Sequence, residues 1–243
     1  VDCVGFFHFK MRESEFFRGY EQGVASDQGR PRMLKVKDWP QDTDFNRRLV
    51  RHNQAFHDLL PLPFYTHTLA GRLNLATRMP DWTRASDLGP KTYIAYGQVE
   101  EHEGVECDSV TKVHQDMSDA VNILLHTQRA PHEALVVRHG TQRAGDRTWG
   151  NAGAVWDIWV ADDVPQLRAA LEGALEAGAF VHEGSRLARD TCNDVIFDHS
   201  VMIGTSLIED MAGSGCEPWR FEQHEDEAVC IPGGDPHQVR NLR

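Results

Sequence analysis

Apolar and polar positions change their rhythm partway along the chain, and the change predicts where helices give way to strands. Early on the repeat is helical. The run DTDFNRRLVRHNQAFHDLL places Phe45, Leu49, His52, Phe56 and Leu59 on one face, with Asp42 or Thr43 available as its cap. ESEFFRGYEQG predicts a short helix ending at Gly23. PLPFYTH then stops the longer helix, because proline cannot extend the hydrogen-bond ladder. From Lys91 the texture is that of strands. KTYIAYG, SVTKVHQD, AVNILLHT and GAVWDIWV are short β-branched or aromatic runs set off by turn-like or acidic segments. A polar stretch, residues 127–151, separates the last two and reads as an inserted loop. One further helix is predicted over residues 162–177. It has acidic residues at its start, Pro165 in its first turn, a stripe of Val164, Leu167, Leu171 and Ala174, and Gly178 at its end. Strands resume with PWRFEQ and EAVCIP, followed by a GGDP turn and HQVRNL.

No internal repeat or linker divides the chain. The pattern predicts a mainly β fold with helices: a jelly-roll barrel over residues 91–243, carrying a helical and irregular N-terminal wrap over residues 1–90. Hydrophobic residues make up 40% of the 243, enough for a core and against wholesale disorder. The net charge is −12, from 37 acidic and 25 basic residues, which argues against a sequence-independent grip on nucleic-acid phosphates. Such a balance is compatible with a basic partner, for instance a Lys/Arg-rich peptide tail, although a plain solvated acidic surface is the commoner origin. Five scattered cysteines contain no Cys-x-x-Cys, so a reducing intracellular compartment is expected. No apolar run approaches the roughly 18 residues of a membrane span, so no membrane association is expected. The first residues lack the features of a signal peptide and do not begin with Met, so a piece of a longer protein is expected.

Candidate chemistry centres on His-x-Asp. With 13 histidines and many acids the pair should arise by chance, and it occurs twice, as His114/Asp116 and His224/Asp226. His224 sits in the acidic EQHEDEA, which reads as a solvated hairpin turn. His114 ends the run SVTKVH, where alternation puts Val110, Lys112 and His114 on one face and Thr111 and Val113 on the other. An imidazole and a carboxylate projecting from one strand end supply two legs of a facial triad, the arrangement by which non-heme iron oxygenases leave positions open for co-substrate and oxygen. A late strand must return the third leg, and His237 in CIPGGDPHQVRNL stands where it could. On the residues alone, polar side chains at turns remain an alternative for each.

The ordered blocks LGPKTYIAYG, DSVTKVHQDMSDAVNILLHT, GAVWDIW, EPWRFEQ and AVCIPGGDPHQVRNL closely resemble the JmjC domain of histone H3 lysine-9 demethylases, especially their plant and algal branch. MLKVKDWP, LPFYTHTLAGRLNLATRMP and EFFRGY fit the same branch, so the resemblance covers nearly the whole chain. It implies a double-stranded β-helix, the cupin-like jelly roll, with helices outside. It also implies oxidative removal of lysine methyl groups with Fe(II) as metal and 2-oxoglutarate as co-substrate, releasing formaldehyde and succinate. By position the resemblance assigns His114, Asp116 and His237 to the metal. It suggests Thr111 and Asn122 for the co-substrate and Tyr93 and Trp156 as pocket walls. The implied partner is a methylated histone H3 tail, with chromatin proteins beside it, in the nucleus. Direct sequence-specific nucleic-acid binding is not expected of such a domain.

Two departures stand out. Many JmjC oxygenases carry a lysine two residues before the Trp156 position, where this sequence has Ala154, as the resemblance to the lysine-9 branch also implies, leaving the co-substrate's charge partner unassigned. The sequence also stops at Arg243, before a further barrel strand, which is expected to leave one barrel edge unpaired. The alternatives are a JmjC protein hydroxylase, a catalytically silent JmjC module that binds chromatin, and a cupin-like small-molecule binder.

Overall fold

A computed structural model describes residues 8, 10–24, 32–37, 44–83, 91–97, 108–128, 152–182 and 185–242. Most of the predicted inserted loop and the acidic segment before Cys107 lie outside these residues. The chain divides into two compact units: Val1–Lys35 with Ala95–Arg243, and Val36–Ile94. The division does not follow a single cut at residue 90. The helix α1 (Glu13–Gln22) belongs with the strand-rich part, where the Tyr96 hydroxyl donates to the Phe16 carbonyl at 2.7 Å. Gly23 ends α1 at φ 74°, a conformation that glycine adopts without a Cβ penalty.

Strand β1 (Lys35–Lys37) pairs with β2 (Tyr93–Ala95) where the chain passes into and out of the second unit. Within that unit the long helix expected from the apolar stripe is broken. Asp44 caps α2 (Phe45–Arg48) by accepting from Asn46 N at 3.0 Å, and Leu49, at φ −128° and ψ 57°, separates it from α3 (Val50–Leu59). The proposed caps Asp42 and Thr43 lie outside the described residues. His57, rather than the stripe, is the buried residue of α3. Its ring bonds the Asn53 carbonyl at 2.8 Å and the Thr68 hydroxyl at 2.7 Å, and stacks on His67. The proline-rich segment does end α3, and then forms its own turn of helix, α4 (Pro63–Thr66).

The first unit holds the sheets. Strands β3 (Thr111–Gln115), β4 (Ala120–Ile123) and β5 (Ala154–Ile158) follow the predicted runs. Helix α5 (Val164–Glu176) comes next, then a short hairpin of β6 (Val181–His182) and β7 (Ser185–Arg186) and helix α6 (Thr205–Ala212). Strands β8 (Trp219–Gln223), β9 (Ala228–Ile231) and β10 (Pro236–Asn241) close the described chain. A four-stranded antiparallel sheet runs β3-β10-β5-β8, and β4 pairs with β9 in a second sheet. The architecture is therefore mixed helix and antiparallel sheet, and no closed barrel forms among the described residues.

Side-chain alternation divides each strand between two cores. Ala154, Trp156 and Val239 of the large sheet pack with Val229 and Ile231 of β9. The opposite face is covered by Leu167, Leu171 and Leu175 of α5 and by Ile208 and Met211 of α6, packed with Trp159, Ile203 and Val113. Leu175 replaces Ala174 as the end of the buried stripe of α5. Among the described residues no helix is long and apolar enough to cross a membrane.

Candidate metal centre

β10 lies between β3 and β5, and this order joins residues far apart in sequence. His237 stands opposite His114 on one side and opposite Ile158 on the other. Asp116 follows the end of β3, so its carboxylate reaches the same place. Ligand atoms of His114, Asp116 and His237 all lie within 4.8 Å of one another, and His237 Nε2 is 3.9 Å from Asp116 Oδ2. Among the described residues this is the one group of histidine, cysteine and carboxylate side chains so arranged.

The turn before β10 is stitched to the His-x-Asp segment. Gly234 N donates to the Asp116 carbonyl at 2.8 Å, Gly233 N donates to Asp119 Oδ1 at 2.7 Å, and the Gln115 side-chain amide donates to the Gly234 carbonyl. Gly234 has φ 92°, where an L residue is strained although a Cβ would find room. Gly234→Ala should lower stability by about 1–2 kcal/mol and also weaken divalent-metal binding. Gly215→Ala is the control, since Gly215 has φ 83° and an open surrounding. It should cost similar stability in thermal unfolding with no change in a Mn(II) titration.

The ring nitrogens are set for a cation. His114 Nδ1 bonds the Lys112 carbonyl at 2.8 Å and His237 Nδ1 bonds the Asp235 carbonyl at 3.0 Å. A carbonyl only accepts, so each Nδ1 carries a proton and each Nε2 is the nitrogen left to face a cation, the arrangement usual for metal-bound imidazole. Burial lowers the His114 pKa to about 4, with the nearby His237 pushing the same way, so the ring is neutral at neutral pH. Asp116 is exposed, which opens one side of the group to solvent. Two imidazoles and one carboxylate, open on one side, fit a divalent transition metal with free coordination positions.

A register shift corrects the expected facing of β3. Val239 opposes Thr111 and His237 opposes His114, so three steps on β3 match two on β10. This bulge puts Thr111 on the face of His114, whereas strict alternation placed them on opposite faces. Lys112, expected beside His114, is buried and ion-paired with Asp108. Asn122 opposes Val229 and so faces the space between the sheets. Trp156 is buried there too, its ring centroid 6.0 Å from that of His237. Tyr93 opens β2, is half exposed, and belongs to the other compact unit.

Gln223, which the sequence reading passed over, ties these groups together. It is 1% exposed. Its Oε1 accepts from Trp156 Nε1 at 2.8 Å, while its Nε2 donates to the Glu227 carbonyl at 3.0 Å and to Asn122 Oδ1 at 3.3 Å. With that oxygen committed to Gln223, the NH₂ of Asn122 is left as the donor for another group. A signal was available, because Gln223 occupies the face of Phe221 in WRFEQ, where an apolar residue would be expected.

The rival pair has no such setting. His224 follows β8, its side chain is 43% exposed, and it lies 3.4 Å from Glu222. Asp226 sits in the same turn at φ 68°. That turn links the two sheets, because β8 pairs with β5 and β9 with β4, and is not the hairpin that was expected.

No family model matches the chain. It is 37% identical over its whole length to lysine-specific demethylase JMJ26 of Arabidopsis thaliana and 35% identical to lysine-specific demethylase JMJ29 of the same plant. It is also 31% identical, over 94% of its length, to lysine-specific demethylase 3A of Gallus gallus. It spans 30%, 31% and 18% of those longer proteins, respectively. The full-length similarity and the ordered sequence blocks agree with one another: the chain belongs to the JmjC lysine-specific demethylase family.

Proposed function

We propose that this chain is an iron(II)- and 2-oxoglutarate-dependent histone lysine demethylase domain that acts on methylated lysine 9 of histone H3 in the nucleus. The observation that carries the reading is the convergence of His114, Asp116 and His237, with both Nδ1 atoms bonded to backbone carbonyls. The strand order β3-β10-β5-β8, with β4-β9 as a second sheet, supports a double-stranded β-helix as the underlying architecture. With iron(II) and 2-oxoglutarate in place, the site would supply the oxidising power of O2 for N-methyl hydroxylation, the co-substrate leaving as succinate and carbon dioxide and the methyl carbon as formaldehyde.

The chain's own residues bind and orient. His114, Asp116 and His237 would hold the metal. Thr111, on the same face as His114, offers its hydroxyl to the co-substrate, and Asn122 offers the NH₂ that Gln223 leaves available. Trp156 forms an apolar wall. A basic histone tail suits the net charge of −12. Other chromatin proteins are proposed as partners on the same ground.

The test supplies Fe(II), 2-oxoglutarate and a panel of methylated histone tail peptides, read by mass spectrometry. Loss of CH₂ from lysine-9 peptides, dependent on 2-oxoglutarate, is the expected result. A stable gain of oxygen would make the protein a hydroxylase. Bound metal with neither product would favour a silent chromatin-binding module.

A further inference from the structure

Four rings stand one after another through the candidate centre. Trp156 and His237 have centroids 6.0 Å apart with planes at 27°. His237 meets His114 at 4.2 Å and 55°, and His114 is covered by His199 at 4.5 Å and 26°. The two ends of this series differ. Trp156 is buried and bonded to Gln223, whereas His199 is exposed and is not one of the clustered donors.

His199 also has φ 53°, in the left-handed region that a residue with a Cβ normally avoids. The backbone around it is fixed on both sides. The Asp198 carboxylate accepts from Asn193 N at 2.7 Å and Asp194 N at 3.0 Å. Ser200 Oγ lies 3.2 Å from Cys192 Sγ, and the Val201 carbonyl accepts from Val113 N of β3 at 2.9 Å. Anchors of this kind are what allow a strained residue to persist, and such residues collect at functional sites. Here the unusual backbone accompanies a ring lying flat on the ring of a metal-ligand candidate.

We infer that His199 is a positioning residue. Its imidazole packs on the solvent-side face of His114 and holds the ring plane in which Nε2 faces Asp116 and His237. Trp156 and Gln223 do the same for His237 from the buried end. The inference rests on the metal-centre reading, and it adds a third imidazole that acts on the metal only through His114. Groups that orient a metal ligand commonly change affinity by about 10–100-fold when removed.

The experiment compares the unaltered chain with His199→Phe, His199→Gly and His114→Ala. Co(II) is titrated into each, with the visible spectrum recorded, and the metal-free proteins are unfolded thermally. His199→Gly removes the ring and relaxes the backbone. Its unfolding temperature should therefore hold or rise while Co(II) affinity falls about tenfold and the Co(II) bands change. His199→Phe keeps a ring face over His114, so affinity and spectrum should stay close to those of the unaltered chain. Wild-type affinity and bands in His199→Gly, or equal losses in the Phe and Gly variants, would overturn the inference. An affinity loss accompanied by a matching loss of thermal stability would assign His199 a structural role instead. Undiminished Co(II) binding by His114→Ala would remove the metal centre itself, and the inference with it.

Discussion

His114→Ala is expected to abolish demethylation and to weaken divalent-metal binding at least a hundredfold, while the chain keeps its fold. The separation of effects follows from where the side chain stands. His114 is only partly buried at the end of β3, and the backbone bonds there do not depend on its ring. Val113, one residue back, is fully buried against α5 and remains in place. Removal of an outer-shell partner alone costs a metal site about 10–100-fold in affinity, so loss of a ligand should cost more. His224→Ala supplies the contrast. Its side chain is 43% exposed and its ionic neighbour is Glu222 at 3.4 Å, a contact worth about 0–1 kcal/mol at a surface. Turnover and metal binding should therefore stay near those of the unaltered chain. Metal titration by calorimetry and the peptide assay would check both variants. Retained activity in His114→Ala with lost activity in His224→Ala would move the metal site to the turn after β8.

The legible parts of this molecule were those with a strong local signal. β3, β4, β5, β8, β9 and β10 follow short runs whose β-branched and aromatic residues fit a half-buried pleat. α5 was legible because its acidic start, Pro165 and Gly178 bracket an apolar stripe. The grouping of His114, Asp116 and His237 could be anticipated from two segments, although the proof of proximity is the non-local pairing of β3 with β10. What was missed depends on tertiary context. Alternation from Val110 gave the wrong side for Thr111, since one extra residue in a bulge reverses every later side chain and leaves no mark on hydrophobic period. The break at Leu49 was hidden under a continuous apolar stripe, while the buried residue of α3 proved to be His57, held by two hydrogen bonds. His199 is a loop residue whose role arises entirely from the ring it covers.

The largest loss of stability is expected from Asp157→Ala, on the face of the sheet turned away from His237. Asp157 is 0% exposed, a costly place for a carboxylate unless it is fully paired. It is paired on both sides. In register across the sheet, Gln238 of β10 and Arg220 of β8 flank it. Arg220 donates through Nε at 2.5 Å and Nη2 at 3.1 Å, Arg240 through Nη2 at 3.2 Å, and Gln238 through Nε2 at 2.9 Å. Gln238 also exchanges two bonds of 2.9 Å with the backbone of Ile203, so the group ties the sheet to the segment leading into α6. Alanine would leave the buried Arg240 guanidinium without its anion and would empty the centre of the network. Breaking a buried pair from one side costs about 3–5 kcal/mol, equivalent to roughly 10 °C in unfolding temperature for a chain of this size. Arg220→Ala should cost less, because Arg220 is 20% exposed and Asp157 would keep Arg240 and Gln238. Thermal unfolding of the two variants measures the difference, and an Asp157→Ala loss below that of Arg220→Ala would refute this account. Metal affinity measured well below the unfolding temperature should change far less than in His114→Ala. Asp157 and Trp156 are successive residues of β5 and face opposite sides, so the network can fail as a stabilising element while the groups around His237 keep their places.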